Sequence, residues 1–220
     1  MIEDVQLKVC GITSLADAAA AAACGADFLG FNFYPPSPRY VSPESYAAMA
    51  GRLPACRRVA ILVEPTIEEL RAQEAAGFGR FQIHFRTADA EAQVAAWGEA
   101  VGHERLWLAP KLPPGTSVPE TLLPLADAFL VDGYKSDLFG GTGQTSDWTQ
   151  FRRLREAHPK KTWILSGGLS PANIGQALAE SGARFVDVNS GVESAPGVKD
   201  SAKLKALVTA IRNGLTSGRR

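Results

Sequence analysis

Residues 58–63 read Arg-Val-Ala-Ile-Leu-Val, and residues 66–76 read Thr-Ile-Glu-Glu-Leu-Arg-Ala-Gln-Glu-Ala-Ala. The first run is of strand length and apolar nearly throughout. It does not alternate, which suits a parallel strand covered by helices on its faces. In the second run Thr66 precedes a helical pattern and Glu69 follows three residues later, a capping-box arrangement. Gly77 stands where such a helix should stop. Together the two runs make one strand-then-helix unit.

The unit recurs along the chain. Strand patterns fall at residues 5–9, 27–33, 58–63, 80–84, 105–109, 128–132, 162–166 and 185–189. Helical patterns follow at 14–24, 43–52, 66–76, 88–100, 118–125, 147–157, 171–181 and 200–213. The 118–125 pattern is weakened by Pro119 and Pro124. Ser14 with Asp17 repeats the capping arrangement, and Ser42-Pro43 and Ser170-Pro171 put a cap before a proline at the first helical position. Gly25 and Gly182 mark helix ends. Eight units in this length give about 27 residues each, close to the minimal (β/α)8 barrel. A doubly wound open sheet has fewer strands and commonly a G-x-G-x-x-G fingerprint after the first; none follows Val9. The reading is α/β: a single (β/α)8 TIM barrel over residues 1–214, with 215–220 a disordered tail.

Composition narrows the function classes. The chain has 23 Lys and Arg against 23 Asp and Glu. That balance gives no support for a nucleic-acid or membrane-surface partner. No apolar run approaches the roughly 18–20 residues of a membrane span. The first ten residues lack the basic-then-apolar pattern of a secretory signal. Cys10, Cys24 and Cys56 are an odd set without metal-type spacing, which fits free thiols in a reducing cytoplasm. Only His84 of the three histidines ends a strand, so a metal site has little support. Both a monomer and a homodimer remain open.

In a barrel of this kind the active site lies at the C-terminal ends of the strands. Those ends carry Cys10-Gly11, Asn32 with the Phe33–Arg39 loop, Gln82 and His84, Asp132, Ser166-Gly167-Gly168, and Asp187 with Asn189-Ser190-Gly191. The opposite loops at 23–26 and 180–183 carry little chemistry. Gly168 and Ser190-Gly191 follow the seventh and eighth strands, where barrels often bind phosphate on backbone N–H groups. The plainer reading is a pair of tight turns. The 140–143 glycine run is either a flap or a further source of donors. A cysteine ending an apolar strand is most often a small buried hydrophobe, but at the mouth it can serve as a base. Asp132 ends an apolar strand, so its pKa should rise and suit a general acid; its plainer role is a loop cap. One acid and one base on opposite strands suit a proton-moving isomerisation.

The motifs at these positions resemble those of the phosphoribosylanthranilate isomerase family. The likeness runs in order through Lys8-Val9-Cys10-Gly11-Ile12-Thr13, Phe31-Asn32-Phe33, Pro36-Ser37-Pro38-Arg39-Tyr40-Val41 and Val131-Asp132. It continues at Gly140-Gly141-Thr142-Gly143 with Asp147-Trp148, and at Ser166-Gly167-Gly168-Leu169 with Pro171 and Asn173. It closes with Val186–Glu193 and Pro196–Asp200. The resemblance implies an Amadori rearrangement of N-(5-phosphoribosyl)anthranilate, a small phosphorylated substrate, with no cofactor and no metal. It implies Cys10 as general base, Asp132 as general acid and Arg39 as the carboxylate site. Gly141, Gly143, Gly168, Ser190 and Gly191 would surround the phosphate, with His84 and Asp187 near the substrate.

At neutral pH that chemistry asks Cys10 to shift down and Asp132 to shift up, with Lys8 as a source of positive charge. Two stretches depart from the family pattern. Phe85-Arg86 replace a usual glycine after His84, and Glu64 stands where asparagine is common. Phe85 is expected to narrow the mouth, or Arg86 to add a carboxylate contact. The competing readings are another sugar-phosphate barrel enzyme, such as an indole-glycerol-phosphate synthase or a pentose-phosphate epimerase, and a non-catalytic phosphate-binding barrel.

Overall fold

The computed structural model describes residues 1–113, 115–133 and 146–217. Strands and helices alternate from the start: β1 (Gln6–Val9), α1 (Leu15–Ala23), β2 (Phe28–Asn32), α2 (Pro43–Ala50), β3 (Arg57–Val63), α3 (Ile67–Ala75), β4 (Arg80–Phe85), α4 (Glu91–Val101) and β5 (Leu106–Pro110). The second half runs β6 (Ala128–Val131), α5 (Trp148–Ala157), β7 (Thr162–Leu165), α6 (Ile174–Ser181), β8 (Phe185–Val188), a hairpin of β9 (Glu193–Ala195) and β10 (Val198–Lys199), and α7 (Ser201–Ser217). The first eight strands pair in parallel in chain order, and β8 returns to pair with β1, so the sheet closes into the expected barrel. No helix among the described residues is long and apolar enough to cross a membrane.

Period-2 alternation sorts the strand side chains into two cores. Leu29, Phe31, Ile83 and Phe129 face outward and pack with the helices. Phe28, Val59, Trp107, Ala128, Ile164 and Phe185 belong to a separate cluster formed by the barrel strands. Phe28 and Phe185 stack at 5.2 Å between ring centroids, with Trp107 edge-on to Phe28 at 5.0 Å. These rings form an apolar floor. Further along the strands, Lys8, Gln82 and Asp187 are buried polar residues. The change from apolar to polar along the barrel axis is what positions the site.

Local chemistry accounts for most of the helix boundaries. The Thr66 hydroxyl accepts from the Glu69 N–H, and the Glu69 carboxylate accepts from the Thr66 N–H, completing the capping box. Ser14, Ser42 and Asp147 each accept a backbone N–H at a helix start. Three expectations need correction. The 118–125 helix is a 3-10 segment at Glu120–Leu125, because Pro119 and Pro124 bring no N–H to an α-helical ladder. Ser170 does not cap a helix at Pro171. The chain first makes a turn in which the Asn173 side chain accepts the Ser170 N–H, and α6 begins at Ile174. The last helix, expected over 200–213, runs from Ser201 to Ser217; residues 218–220 lie outside the described residues. The β9–β10 hairpin has no counterpart in the sequence reading, and the 140–143 glycine run lies outside the described residues.

Replacing Thr66 by Ala removes one half of the capping box. A loss of about 1 kcal/mol is expected, read as a lowered urea midpoint with an unchanged slope.

Candidate active site

Cys10 follows β1 at the mouth, with its N–H bonded to the Val188 carbonyl of β8 at 2.8 Å. It is 7% exposed. Two residues earlier on the same face, Lys8 is fully buried, and its Nζ lies 2.8 Å from Asp187 Oδ2. Lys8 and Asp187 are register partners across the β1–β8 seam, so closure of the barrel brings them together. Asp187 Oδ1 is buried and has no hydrogen-bond partner among the described residues, and the same holds for Gln82 Oε1.

Asp132 follows β6. Burial raises its carboxyl, against hydrogen bonds from the Gly133 N–H and the Ser166 hydroxyl, and the Asp187 charge adds to the rise; its pKa reaches about 6. The expected upward shift is present. Cys10 moves the other way from expectation. Burial raises its thiol above the ordinary value, and the nearby Lys8 and Lys199 charges only partly offset this. Burial outweighs these charges, and the Asp187 carboxylate paired with Lys8 adds to the rise. Burial also raises Asp187 itself, against the pull of Lys8. The ion pair acts electrostatically on both Cys10 and Asp132, so the two groups share one field.

His84 sits beside this pair. Burial and then the Lys8 charge lower its pKa to about 4, so the ring is neutral. The Gln82 Nε2 lies 2.8 Å from His84 Nε2. This contact fixes the imidazole against the neighbouring side chain on the same strand face. Ser166 is a site residue whose role as a partner of Asp132 had no sequence signal beyond its place in a motif.

Arg39 ends the proline-rich loop after β2. That loop is pinned by Asn32, whose side chain accepts the Tyr34 N–H and donates to Ser37. The Arg39 guanidinium grips Glu193 in a side-on fork, Nη2 to Oε2 at 2.7 Å and Nε to Oε1 at 2.9 Å. Hydrogen bonding to Glu193 raises the Arg39 pKa, against burial. Glu193 itself is a site residue that was visible only as part of a motif.

The loops after β7 and β8 meet. Ser190 begins a 3-10 turn through Val192. A Cβ on Gly191 would lie 2.0 Å from the Leu169 carbonyl oxygen and 2.9 Å from Ser170 Cβ. Only glycine permits that approach, which joins Gly168, Ser190 and Gly191 into one backbone-rich rim. Gly141 and Gly143 lie outside the described residues. Among the described residues no group of three His, Cys, Asp or Glu is placed to hold a metal ion.

The family model for N-(5'-phosphoribosyl)anthranilate (PRA) isomerase matches residues 7–210. The chain belongs to this family. It is 40% identical over 211 residues to the N-(5'-phosphoribosyl)anthranilate isomerase of Magnetococcus marinus, covering 94% of this chain and 95% of that one. Among solved structures, the phosphoribosyl anthranilate isomerase from Thermus thermophilus superposes with a TM-score of 0.79 at 34% identity, covering 95% of this chain and 99% of that one. A further phosphoribosyl anthranilate isomerase was solved in complex with reduced 1-(o-carboxyphenylamino)-1-deoxyribulose 5-phosphate. It superposes with a TM-score of 0.73 at 28% identity over 95% of this chain and 99% of that one.

Within a PRA isomerase barrel the two departures have local explanations. Phe85 does not narrow the mouth. It is fully buried and packs edge-on against Trp97 of α4, 5.7 Å between centroids, on the outside of the strand. Arg86 pairs with Glu64 at 3.1 Å on the surface, and its N–H also bonds that carboxylate. Glu64 has φ +44, a left-handed conformation that asparagine tolerates better than glutamate. The Arg86 contacts hold a residue type that the backbone alone disfavours.

Replacing Lys8 by Met would leave Asp187 as an uncompensated buried carboxylate. A loss of about 3–5 kcal/mol is expected. Denaturant titration checks it, and adding Asp187→Leu should restore part of the loss.

Proposed function

We propose that the chain isomerises N-(5-phosphoribosyl)anthranilate to 1-(2-carboxyphenylamino)-1-deoxyribulose 5-phosphate through general acid–base catalysis by Asp132 and Cys10. Asp132 gives its proton to the ribose ring oxygen as the C1′–O bond breaks, leaving an iminium between C1′ and the anthranilate nitrogen. Cys10, as thiolate, takes the C2′ proton, and the electron pair moves to make an enolamine. Tautomerisation of the enol to the C2′ ketone completes the product, with no net gain or loss of atoms.

The observation that carries this reading is a protonatable carboxyl with a pKa of about 6 and a buried thiol, both acted on by one Lys8–Asp187 pair. The chain's membership of the PRA isomerase family and the identity to solved members support it further. The joined rim of Gly168, Ser190 and Gly191 has the glycine-rich backbone that suits a phosphate. Arg39 takes the anthranilate carboxylate, a task its planar fork suits. Asp187 Oδ1 and Gln82 Oε1 are acceptors of the kind that ribose hydroxyls can satisfy, and neutral His84 adds a donor. The substrate, a small anion, needs only this local cationic pocket in a chain of zero net charge. Three free thiols fit work in a reducing cytoplasm.

Cys10→Ala and Asp132→Asn should each lower kcat by at least about 100-fold with little change in ligand affinity. Near-normal turnover in either variant overturns the role of that residue. The pH dependence is a sharper check. The active form needs Asp132 protonated and Cys10 ionised, although the acid has the lower pKa. Below about pH 6 the thiolate fraction falls with pH, as Asp132 stays protonated. Between that value and the raised thiol pKa the two fractions change in opposite directions and cancel. The logarithm of kcat/KM should therefore be level across neutral pH and fall on both sides. In Asp132→Asn the residual rate depends on the thiolate alone. It should climb about tenfold per pH unit up to the thiol pKa, without a level region. A break near pH 6 that survives in the variant belongs to the substrate phosphate.

A further inference from the structure

The β9–β10 hairpin follows β8 and carries two buried charges. The Glu193 side chain is 4% exposed, and the Lys199 ammonium 2.7 Å from it is fully buried. An apolar pair would hold the hairpin at no electrostatic cost, so this arrangement calls for a use. The Glu193 carboxylate is saturated. Oε1 accepts from Arg39 Nε, from Lys199 Nζ and from the Gly197 N–H, and Oε2 accepts from Arg39 Nη2. Lys199 Nζ also donates to Asn189 Oδ1 at 2.9 Å, next to the Ser190-Gly191 turn. The hairpin is tied down on both sides. Thr13 Oγ1 donates to the Gly197 carbonyl at 2.6 Å, the Lys199 N–H donates to Asp17, and Lys203 Nζ donates to the Glu193 carbonyl.

The other end of the grip is Arg39. Its stem runs so close to Gly11, the residue after Cys10, that a Cβ there would lie 2.7 Å from Arg39 Cδ. A guanidinium has two usable edges. Glu193 occupies the Nε–Nη2 edge, which leaves the Nη1–Nη2 edge for a second carboxylate. The charges agree with that count. Arg39 and Lys199 together outweigh Glu193 by one positive charge, the complement of one ligand carboxylate.

We propose that Glu193, anchored by Lys199, is a positioning residue that grips one edge of the Arg39 guanidinium and presents the other edge to the anthranilate carboxylate. This rests on the reading of Arg39 as the carboxylate site. The contrary possibility has the opposite sign: Glu193 would compete with the ligand for Arg39 and weaken its binding.

The test measures calorimetric affinity for two ligands. One is reduced 1-(o-carboxyphenylamino)-1-deoxyribulose 5-phosphate, and the other is its phenylamino counterpart without the carboxyl group. The proteins are the unmodified chain, Glu193→Gln, Arg39→Ala and the double variant, each checked for folding by thermal unfolding. Glu193→Gln should weaken the carboxylated ligand about 10-fold and leave the other unchanged. Arg39→Ala should abolish the preference between the two, and the double variant should bind no more weakly than Arg39→Ala. In turnover, Glu193→Gln should raise KM with kcat nearly unchanged. Where Glu193→Gln does not fold, Lys199→Met removes the anchor and should show the same selective loss. Equal loss for both ligands overturns the proposal in favour of simple bracing, and tighter binding of the carboxylated ligand overturns it in favour of competition. If Arg39→Ala leaves the preference intact, the reading of Arg39 falls and the proposal falls with it. If Arg39→Ala abolishes the preference but Glu193→Gln does not weaken it, only the proposal falls.

Discussion

Closing the sheet between β1 and β8 puts Lys8 opposite Asp187 in register, and the buried ion pair formed there governs the rest of the site. A buried pair of this kind adds little net stability, because desolvation offsets most of the Coulomb gain. Its effect is electrostatic. Burial comes first at each neighbouring group, and the pair adds to it: the Lys8 charge further lowers His84 and partly offsets the rise of Cys10, and the Asp187 charge adds to the rise of Asp132. One contact across the seam thus conditions three titratable groups.

Burial explains why Cys10 and Asp132, the proposed base and acid, have their pKa values in the unfavourable order. Both groups sit at strand ends above an apolar floor, and burial favours the neutral form of each. On the proposed roles the active state is a minor one whose share stays constant over the neutral range. On the proposed reading, substrate binding brings further charges to the mouth, where Arg39 and Lys199 would meet a carboxylate.

Stability and function are separated along the barrel axis. Phe28, Trp107 and Phe185 fill the floor as an aromatic layer, and the helices cover the outside with a larger apolar core. The polar residues that burial makes costly are gathered near the C-terminal strand ends. The β9–β10 hairpin extends this layer with a second buried charge network, tied to α1 through Asp17 and to the loop before that helix through Thr13. Glu64 shows the same economy on the surface, where a strained backbone is held by an exposed partner.

The amino-acid sequence by itself determined the barrel, because period, caps and strand-length apolar runs are local properties that repeat eight times. It also marked Cys10, Asp132, Arg39 and the Gly168 and Ser190-Gly191 loops, since strand ends in a barrel are already known to face the mouth. Where local rules were contradicted, at Pro119, Pro124 and Asn173, the competing interaction was also local. Only the tertiary structure decided the direction of the Cys10 shift, the outward packing of Phe85, and the pairing of Arg39 with a residue 154 positions away. The reason is physical. A pKa or an ion pair depends on burial and on partners brought together by closure of the sheet, and neither is encoded in the spacing of residues along the chain.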